Sequence, residues 1–252
     1  MKQELYKPNK GKQLVIDVNG TSYYRYPIKT EVFAKGDDYA VKIARFISTA
    51  VDTFSKEKDF NCDWYVIVSE KIVAISQGRS YFIKDIKPSW WAKTLSKYVK
   101  KTPHGIGLGS PWTMELAIGE VGLPRILLAA VASVLTKPFG LSGVFYRIAG
   151  PQAAAIDGPT SYSLYPSNVS AKLAPKDPQK AATKISDEIK SKLTDEALIK
   201  RFKGTVIIDA NDLGRNALGN ATGKPNGFFE DVMRDNPMGQ GSEQTPLVIL
   251  TL

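Results

Sequence analysis

The strongest local signal in the chain is the run opened by Asp177-Pro178, an N-cap residue followed by proline at the first helical position, whose amphipathic pattern reaches Leu193. The first N–H groups of a helix lack internal partners, so proline there costs no hydrogen bond. Gly204 then precedes an apolar strand at 205–208. A clear helix followed by a clear strand excludes an all-helical or all-strand chain, and the remaining elements must be fitted around that pair.

Toward the N-terminus, 14–18 and 23–28 flank an Asn19-Gly20 turn signal and read as a β-hairpin. After Gly36, the segment 37–54 places Tyr39, Ala40, Ile43, Ile47 and Val51 at helical spacing, with Asp37 and Asp38 in its first turn. Residues 64–68 form an apolar strand followed by Ser69, Glu70 and Lys71, then 72–75 and a Gly78 turn. Polar residues at a strand end commonly line a site. Segments 88–99 and 111–121 read as helices started by proline, with HGIGLGS between them. Residues 140–178 are rich in Gly, Pro, Ser and Ala and read as a working loop or several short strands. A helix at 228–234 and a closing strand at 247–250 flank the last glycine loop, MGQGSEQ. Strands and helices intermix, which gives α+β or α/β, with α+β expected: mixed sheets with flanking helices in one domain, 1–252, composed of two lobes (1–139 and 140–252) sharing one core.

The chain has 252 residues, 43% hydrophobic and 23% charged, enough to bury a substantial core. Thirty-four Lys and Arg against 25 Asp and Glu leave a net charge of +9, which suits DNA, a membrane surface or a phosphorylated small molecule. The basic residues are scattered, with local clusters such as 97–101 on polar helix edges, which argues against nucleic acid. Cys62 is the only cysteine and His104 the only histidine, so one chain can build no disulfide, no Cys-based zinc site, no histidine metal cluster and no Ser-His-Asp triad. MKQELYKPNKGKQ lacks the apolar core of a signal peptide. The longest apolar run, 126–135, lies between Arg125 and Lys137 and falls short of the ~20 residues that cross a bilayer. It reads as a buried helix, and the chain as cytoplasmic, with no membrane and no nucleic-acid partner.

Nucleotide chemistry needs exposed backbone N–H groups where side chains are small. Gly105, Gly107 and Gly109 read as a tight turn, and Gly219 to Gly223-Lys224 fails as a Walker loop because Pro225 takes the place of the hydroxyl residue. Gly239-Gln240-Gly241-Ser242-Glu243 combines flexible backbone with a carboxylate just before a strand, and equally suits an ordinary turn. Asp209 and Asp212 in DAND, and Asp157 in AIDGP, are loop carboxylates of the kind that hold Mg²⁺ or close Asx-turns.

Taken in order, VSEKIVAISQGR, AIDGP with SNV, VIIDANDLGRNALG and MGQGSEQTPLVIL resemble the GTP-dependent γ-glutamyl ligases of the deazaflavin coenzyme F420, over a span running from about Pro27 to the C-terminus. The resemblance implies an α+β fold in an intertwined homodimer, with nucleotide and divalent metals at a groove. It implies GTP (or ATP) and Mg²⁺ or Mn²⁺ acting on a small-molecule carboxylate substrate and L-glutamate. GTP would phosphorylate the carboxylate, and the glutamate amine would attack the acyl phosphate. Asp209 matches the aspartate of the family's strand-end Asp-Thr metal motif, with Ala210 in the threonine's place and Leu213-Gly214-Arg215 resembling the Phe-Gly-Arg that follows. Asn211 and Asp212 look inserted, and either could supply a substitute oxygen. Gln240 and Glu243 match the family's Met-Gly-Gln segment, with Ser242 where an aspartate is usual. Asp157 corresponds to the aspartate of a Gly-Ile-Asp motif and Asn168 to an asparagine normally three residues beyond it, here eleven. Ser69 and Lys71 follow the strand-end nucleotide segment, and Ile75 takes the place of a lysine. The implied metal ligands are therefore Asp157, Asp209, Gln240 and Glu243. The implied nucleotide contacts are Ser69, Lys71, Asn168, Asn211, Gly239, Gly241 and Ser242.

Overall fold

Asn19 and Gly20 both hold positive φ, 52° and 79°, the backbone that a two-residue type I′ turn demands. They join β1 (Val15–Val18) to β2 (Thr21–Ile28) as the expected hairpin. Asp38 then caps α1 (Tyr39–Glu57), its Oδ1 accepting from the Ala40 N–H at 3.1 Å. A computed structural model describes residues 7–57, 61–99, 107–141, 143–159, 165, 167–211, 214–239 and 241–252. After α1 come β3 (Trp64–Ser69), α2 (Glu70–Ser76), β4 (Ser80–Phe82), α3 (Trp90–Leu95), α4 (Pro111–Val121), α5 (Leu123–Thr136), α6 (Val144–Ala149), α7 (Pro151–Ala154) and β5 (Ser170–Lys172). The chain closes with α8 (Pro178–Lys192), α9 (Glu196–Arg201), β6 (Phe202–Ala210), β7 (Arg215–Asn220), α10 (Asn226–Val232) and β8 (Leu247–Thr251).

These elements form two compact units, one from residues up to 77 together with 175–252, the other from 78–174. The lobe boundary expected at 139/140 falls inside the second unit. The first unit is built on a six-stranded sheet in the order β1-β2-β8-β3-β6-β7, antiparallel except for β3 against β6. This is the mixed sheet with flanking helices that α+β implied.

Continuous apolar strands are needed at its centre because both faces are covered. Trp64, Val66, Val68, Ile207 and Ile249 pack with Ile43, Ile47, Ile185 and Ile189 of α1 and α8. Their alternates Tyr65, Ile67, Val206, Ile208 and Val248 pack with Phe229, Val232 and Met233 at α10.

Several elements depart from the sequence reading. Residues 72–75 belong to α2. The glycine- and asparagine-rich stretch after β6 contains β7, an edge strand that buries Ala217 and Gly219 and needs few apolar residues. Segment 140–178 holds α6 and α7 as well as β5; helices of six and four residues are too short to display a period. Asp177 sits at φ 47° and its side chain makes no cap bond. The start of α8 is instead tied to β7: the Gln179 Nε2 group donates to the Asn220 carbonyl at 2.8 Å, and the Asn220 N–H to Gln179 Oε1 at 3.0 Å.

The second unit has a smaller core, centred on Leu108, Met114, Ala117, Ile126, Ala129, Ala149, Ile156 and Leu173. It contains the two-stranded β4-β5 sheet. The run expected as a buried helix is α5, which is buried along one side only, because so small a core cannot cover a helix of that apolar content all round. Among the described residues no single helix is long and apolar enough to cross a membrane.

Close approach of α8 to β7 makes position 219 intolerant of a side chain, since a Cβ there would lie 2.2 Å from the Pro178 carbonyl oxygen. Gly219→Ala is expected to cost about 2 kcal/mol in urea denaturation, in the range of core overpacking. A midpoint equal to wild type would show that β7 and α8 are not held this tightly.

Candidate functional site at the carboxyl edge of β3 and β6

Because β3 and β6 run parallel as neighbours, with Ser69 opposite Ile208, their carboxyl ends emerge together at one edge of the sheet. Antiparallel β8 begins at that edge, where Leu247 pairs with both Val68 and Ile28. The Ser69 N–H donates to the Pro246 carbonyl at 2.9 Å, and the Thr30 N–H to the Gln244 carbonyl at 2.9 Å. β7 starts there as well, with Arg215 opposite Ala210. Ser69 and Lys71, Asp209 and Asn211, and the loop carrying Gly239, Gly241, Ser242 and Glu243 are distant in sequence, yet pairing alone delivers them to the same edge. Carboxyl ends of parallel strands are where open sheets place ligand sites.

Strand alternation separates Asp209 from its neighbour. Ile208 belongs to the α10 face and Ala210 packs against that same apolar cluster, so Asp209 between them takes the opposite face, where it is half-buried. Ala210, which the resemblance sets in place of a threonine, thus points into an apolar layer. Asn211 closes the β6-β7 turn: its N–H donates to the Gly214 carbonyl at 3.0 Å, and its Oδ1 accepts from the Gly214 N–H at 2.9 Å. Asp212 lies outside the described residues. Ser69 stands at the N-cap of α2, but its hydroxyl makes no cap bond there.

In the glycine loop the Glu243 carboxylate folds back to accept from the Gly241 N–H at 2.7 Å. Gly239, at φ 76°, lies so close beneath it that a Cβ would meet the carboxyl carbon at 2.6 Å. Ser242 is exposed, and Gln240 is outside the described residues.

Residues that carried no signal in the sequence reading hold this loop in place. Asn9 Nδ2 donates at 2.7 Å to both the Pro237 carbonyl and Thr245 Oγ1, and Thr245 Oγ1 donates at 2.7 Å to the Met238 carbonyl. Asn236, fully buried, donates from Nδ2 to the Gly239 carbonyl at 3.1 Å. Behind them Arg25 on β2, with no exposed surface, pairs through both terminal nitrogens with Asp235 and donates to the Val232 and Gln13 carbonyls at 2.8 and 2.7 Å. A charged residue inside the apolar strand TSYYRYPI was the one visible hint.

Asp157 and Asn168 belong to the second unit. Asp157 exchanges backbone bonds with Lys172 at 2.9 and 2.8 Å, and its Oδ2 accepts from the largely buried Lys172 Nζ at 3.3 Å. Asn168 lies on the 3-10 turn Ser167–Val169, and its Oδ1 is buried with no hydrogen-bond partner among the described residues. Among the described residues no group of three or more His, Cys, Asp or Glu side chains is gathered closely enough to hold a metal ion.

Comparison with protein families assigns the chain to the ligases that form amide bonds. The family is F420-0:Gamma-glutamyl ligase, matched over residues 27–209, well over half of the chain, and the chain belongs to it. Comparison with curated proteins yields no match. The matched span closes on Asp209, the strand-end carboxylate at the sheet edge, and leaves the glycine loop beyond it.

Burial opposes ionisation of Asp235, but its hydrogen bonds and ion pair with Arg25 outweigh this and hold the carboxyl below the usual range. A depressed folded-state value contributes stability above the unfolded pKa of about 3.9, and that stability is lost as pH falls through the lower folded value. Asp235→Ala, which leaves a buried guanidinium uncompensated, is expected to cost about 3 kcal/mol at pH ~7. The gap from wild type should narrow progressively below pH ~4 in chemical denaturation. A gap independent of pH would remove the ion pair from its place behind the loop.

Proposed function

We propose that the protein joins the amine of L-glutamate to the terminal carboxylate of F420-0, with GTP as phosphoryl donor and Mg²⁺ or Mn²⁺ as metal. One observation carries this: a family match ending on Asp209, at the edge where the strand-end segment 69–71 and the glycine loop 239–243 also arrive. In the reaction a substrate carboxylate oxygen attacks the γ-phosphorus of GTP and GDP departs. The glutamate nitrogen then attacks the acyl carbon, the C–O bond to phosphate breaks with its electron pair, and the amine loses a proton. Phosphorylation is required because a free carboxylate has no adequate leaving group.

The donor set supports a hard cation: the Asp209 and Glu243 carboxylates are oxygen ligands of the type Mg²⁺ and Mn²⁺ prefer, and the Glu243 contact to Gly241 is the bond it would exchange. A metal held there would offset charge on the transferring phosphoryl group. Ser69, Lys71 and the N–H groups of Gly241 and Ser242 are assigned to the nucleotide phosphates, Lys71 by charge and the others by donation, the Gly241 N–H once Glu243 releases it. Asn211 serves this role only beyond the bond it already makes to Gly214. Gly239, whose own N–H donates to the Asn236 carbonyl at 3.1 Å, serves there only by leaving room for the ligand. On the family resemblance alone, Asp157 and Gln240 are further metal ligands and Asn168 a nucleotide contact; the described carboxylates are not gathered as a metal cluster in this structure, so these assignments require the metal to draw them together. A homodimer is proposed on the same ground, and sedimentation of the purified chain tests it.

A second reading keeps the amide-forming chemistry on a different carboxylate. It is favoured by Ala210, which packs into the apolar layer where the family threonine stands, and by Ile75, which occupies the lysine's position on α2. Assaying F420-0 beside other carboxylates, with GTP and with ATP, separates the two.

Asp209→Ala is expected to lower kcat at least ~100-fold, as loss of a charge-stabilising group does, while shifting folding stability by less than about 1 kcal/mol. Undiminished turnover in a folded Asp209→Ala protein would sink the site assignment.

A further inference from the structure

α5 buries Ile126 and Ala129 in the core of the second unit and turns its other side to solvent. Leu128 is 61% exposed, Val131 56%, Val134 67% and Leu135 65%, and Phe139 (80%) and Leu141 (55%) follow directly after the helix. Positions 128, 131 and 135 obey the helical repeat and lie opposite Ile126, so they form one stripe. Single exposed leucines are ordinary on a protein surface, whereas several large apolar side chains clustered on one helix and the residues just after it mark a surface that meets something.

The charges around the stripe restrict what it meets. Residues 121–156 contain no Asp or Glu, while Arg125, Lys137 and Arg147 are all exposed. Arg125 spends its Nε on the Ile148 carbonyl at 2.7 Å, and among the described residues Lys137 and Arg147 form no salt bridge. A second copy seated on this face would set these cations against their own counterparts, with no carboxylate in the segment to offset them. An anionic bilayer complements both features, offering acyl chains to the stripe and negative headgroups to the cations.

The 14 residues of α5 rise about 21 Å, short of the ~30 Å hydrocarbon core. A bend of 116° separates the helix from α4, so the pair cannot act as one straight span. We propose that the outer face of α5, with Phe139 and Leu141, docks the protein peripherally on an anionic lipid surface, the helix lying along the interface. This sets aside the expectation of no membrane partner, which rested on the run being too short to cross and on its being buried. The proposal is independent of the ligase reaction.

Co-sedimentation of the full chain with phosphatidylcholine vesicles, with and without about 30 mol% phosphatidylglycerol, tests it. Partitioning at least ~10-fold stronger onto the anionic vesicles is expected, falling steeply with added salt. The double variant Val131→Asp/Leu135→Asp should abolish binding. Lys137→Glu, which leaves every apolar contact in place, should weaken it several-fold and serves if the double variant does not fold. Equal partitioning onto both vesicle types, or binding unaffected by these substitutions in folded protein, overturns the proposal. So does absence of vesicle binding alongside a dimer in sedimentation that Val131→Asp dissociates, which would assign the face to a second copy.

Discussion

The pairing of β3 with β6 is the contact on which the rest of the first unit turns. Two parallel strands require a long crossover, and the chain returns to lie beside β3 only after the second unit and α8 have been made. Covering both faces of that pair with α1 and α8 on one side and α10 on the other demands strands apolar at every position, and VIV and VII at their centres meet the demand. Polarity can then return only where the strands end. Ser69 and Asp209 are polar because they are the first residues past the covered zone, and they are neighbours because the strands are.

Support for the edge is asymmetric. Asp209 is carried by a central strand, whereas the glycine loop depends on side chains reaching it from elsewhere: the Arg25 guanidinium behind Asp235, and Asn9 through Thr245 and the Pro237 carbonyl. A fully buried guanidinium is stabilising only while its carboxylate stays charged. The loop that presents Glu243 therefore rests on an ion pair that lies behind it.

Much of this was legible in the sequence where chemistry and local geometry coincide. The hairpin at Asn19-Gly20, the helices led by Pro111 and Pro178, and the apolar strands ahead of Ser69 and Asp209 each carry a local signal, and each is present. The ordered motifs named the family that the comparison shows. What stayed hidden depends on partners remote in sequence. β7 is polar because an edge strand buries little; α6 and α7 are too short for a period; and Asn9 and Thr245 gain meaning only when strands from opposite parts of the chain pair. The 126–135 run misled because apolar content reports the tendency to leave water and is silent about whether the protein itself supplies the cover.

The bond between Asn9 and Thr245 spans 236 positions, and β2 pairs with β8 across almost the same separation. During synthesis the N-terminal hairpin waits with one edge unpaired until the last strand has emerged, an interval of roughly ten seconds or more at ordinary elongation rates. Loop closure over such a length also makes this pairing slow to nucleate. The glycine loop is consequently among the last parts of the molecule to take shape, and a nascent chain can hold Asp209 in its strand well before the loop reaches the same edge.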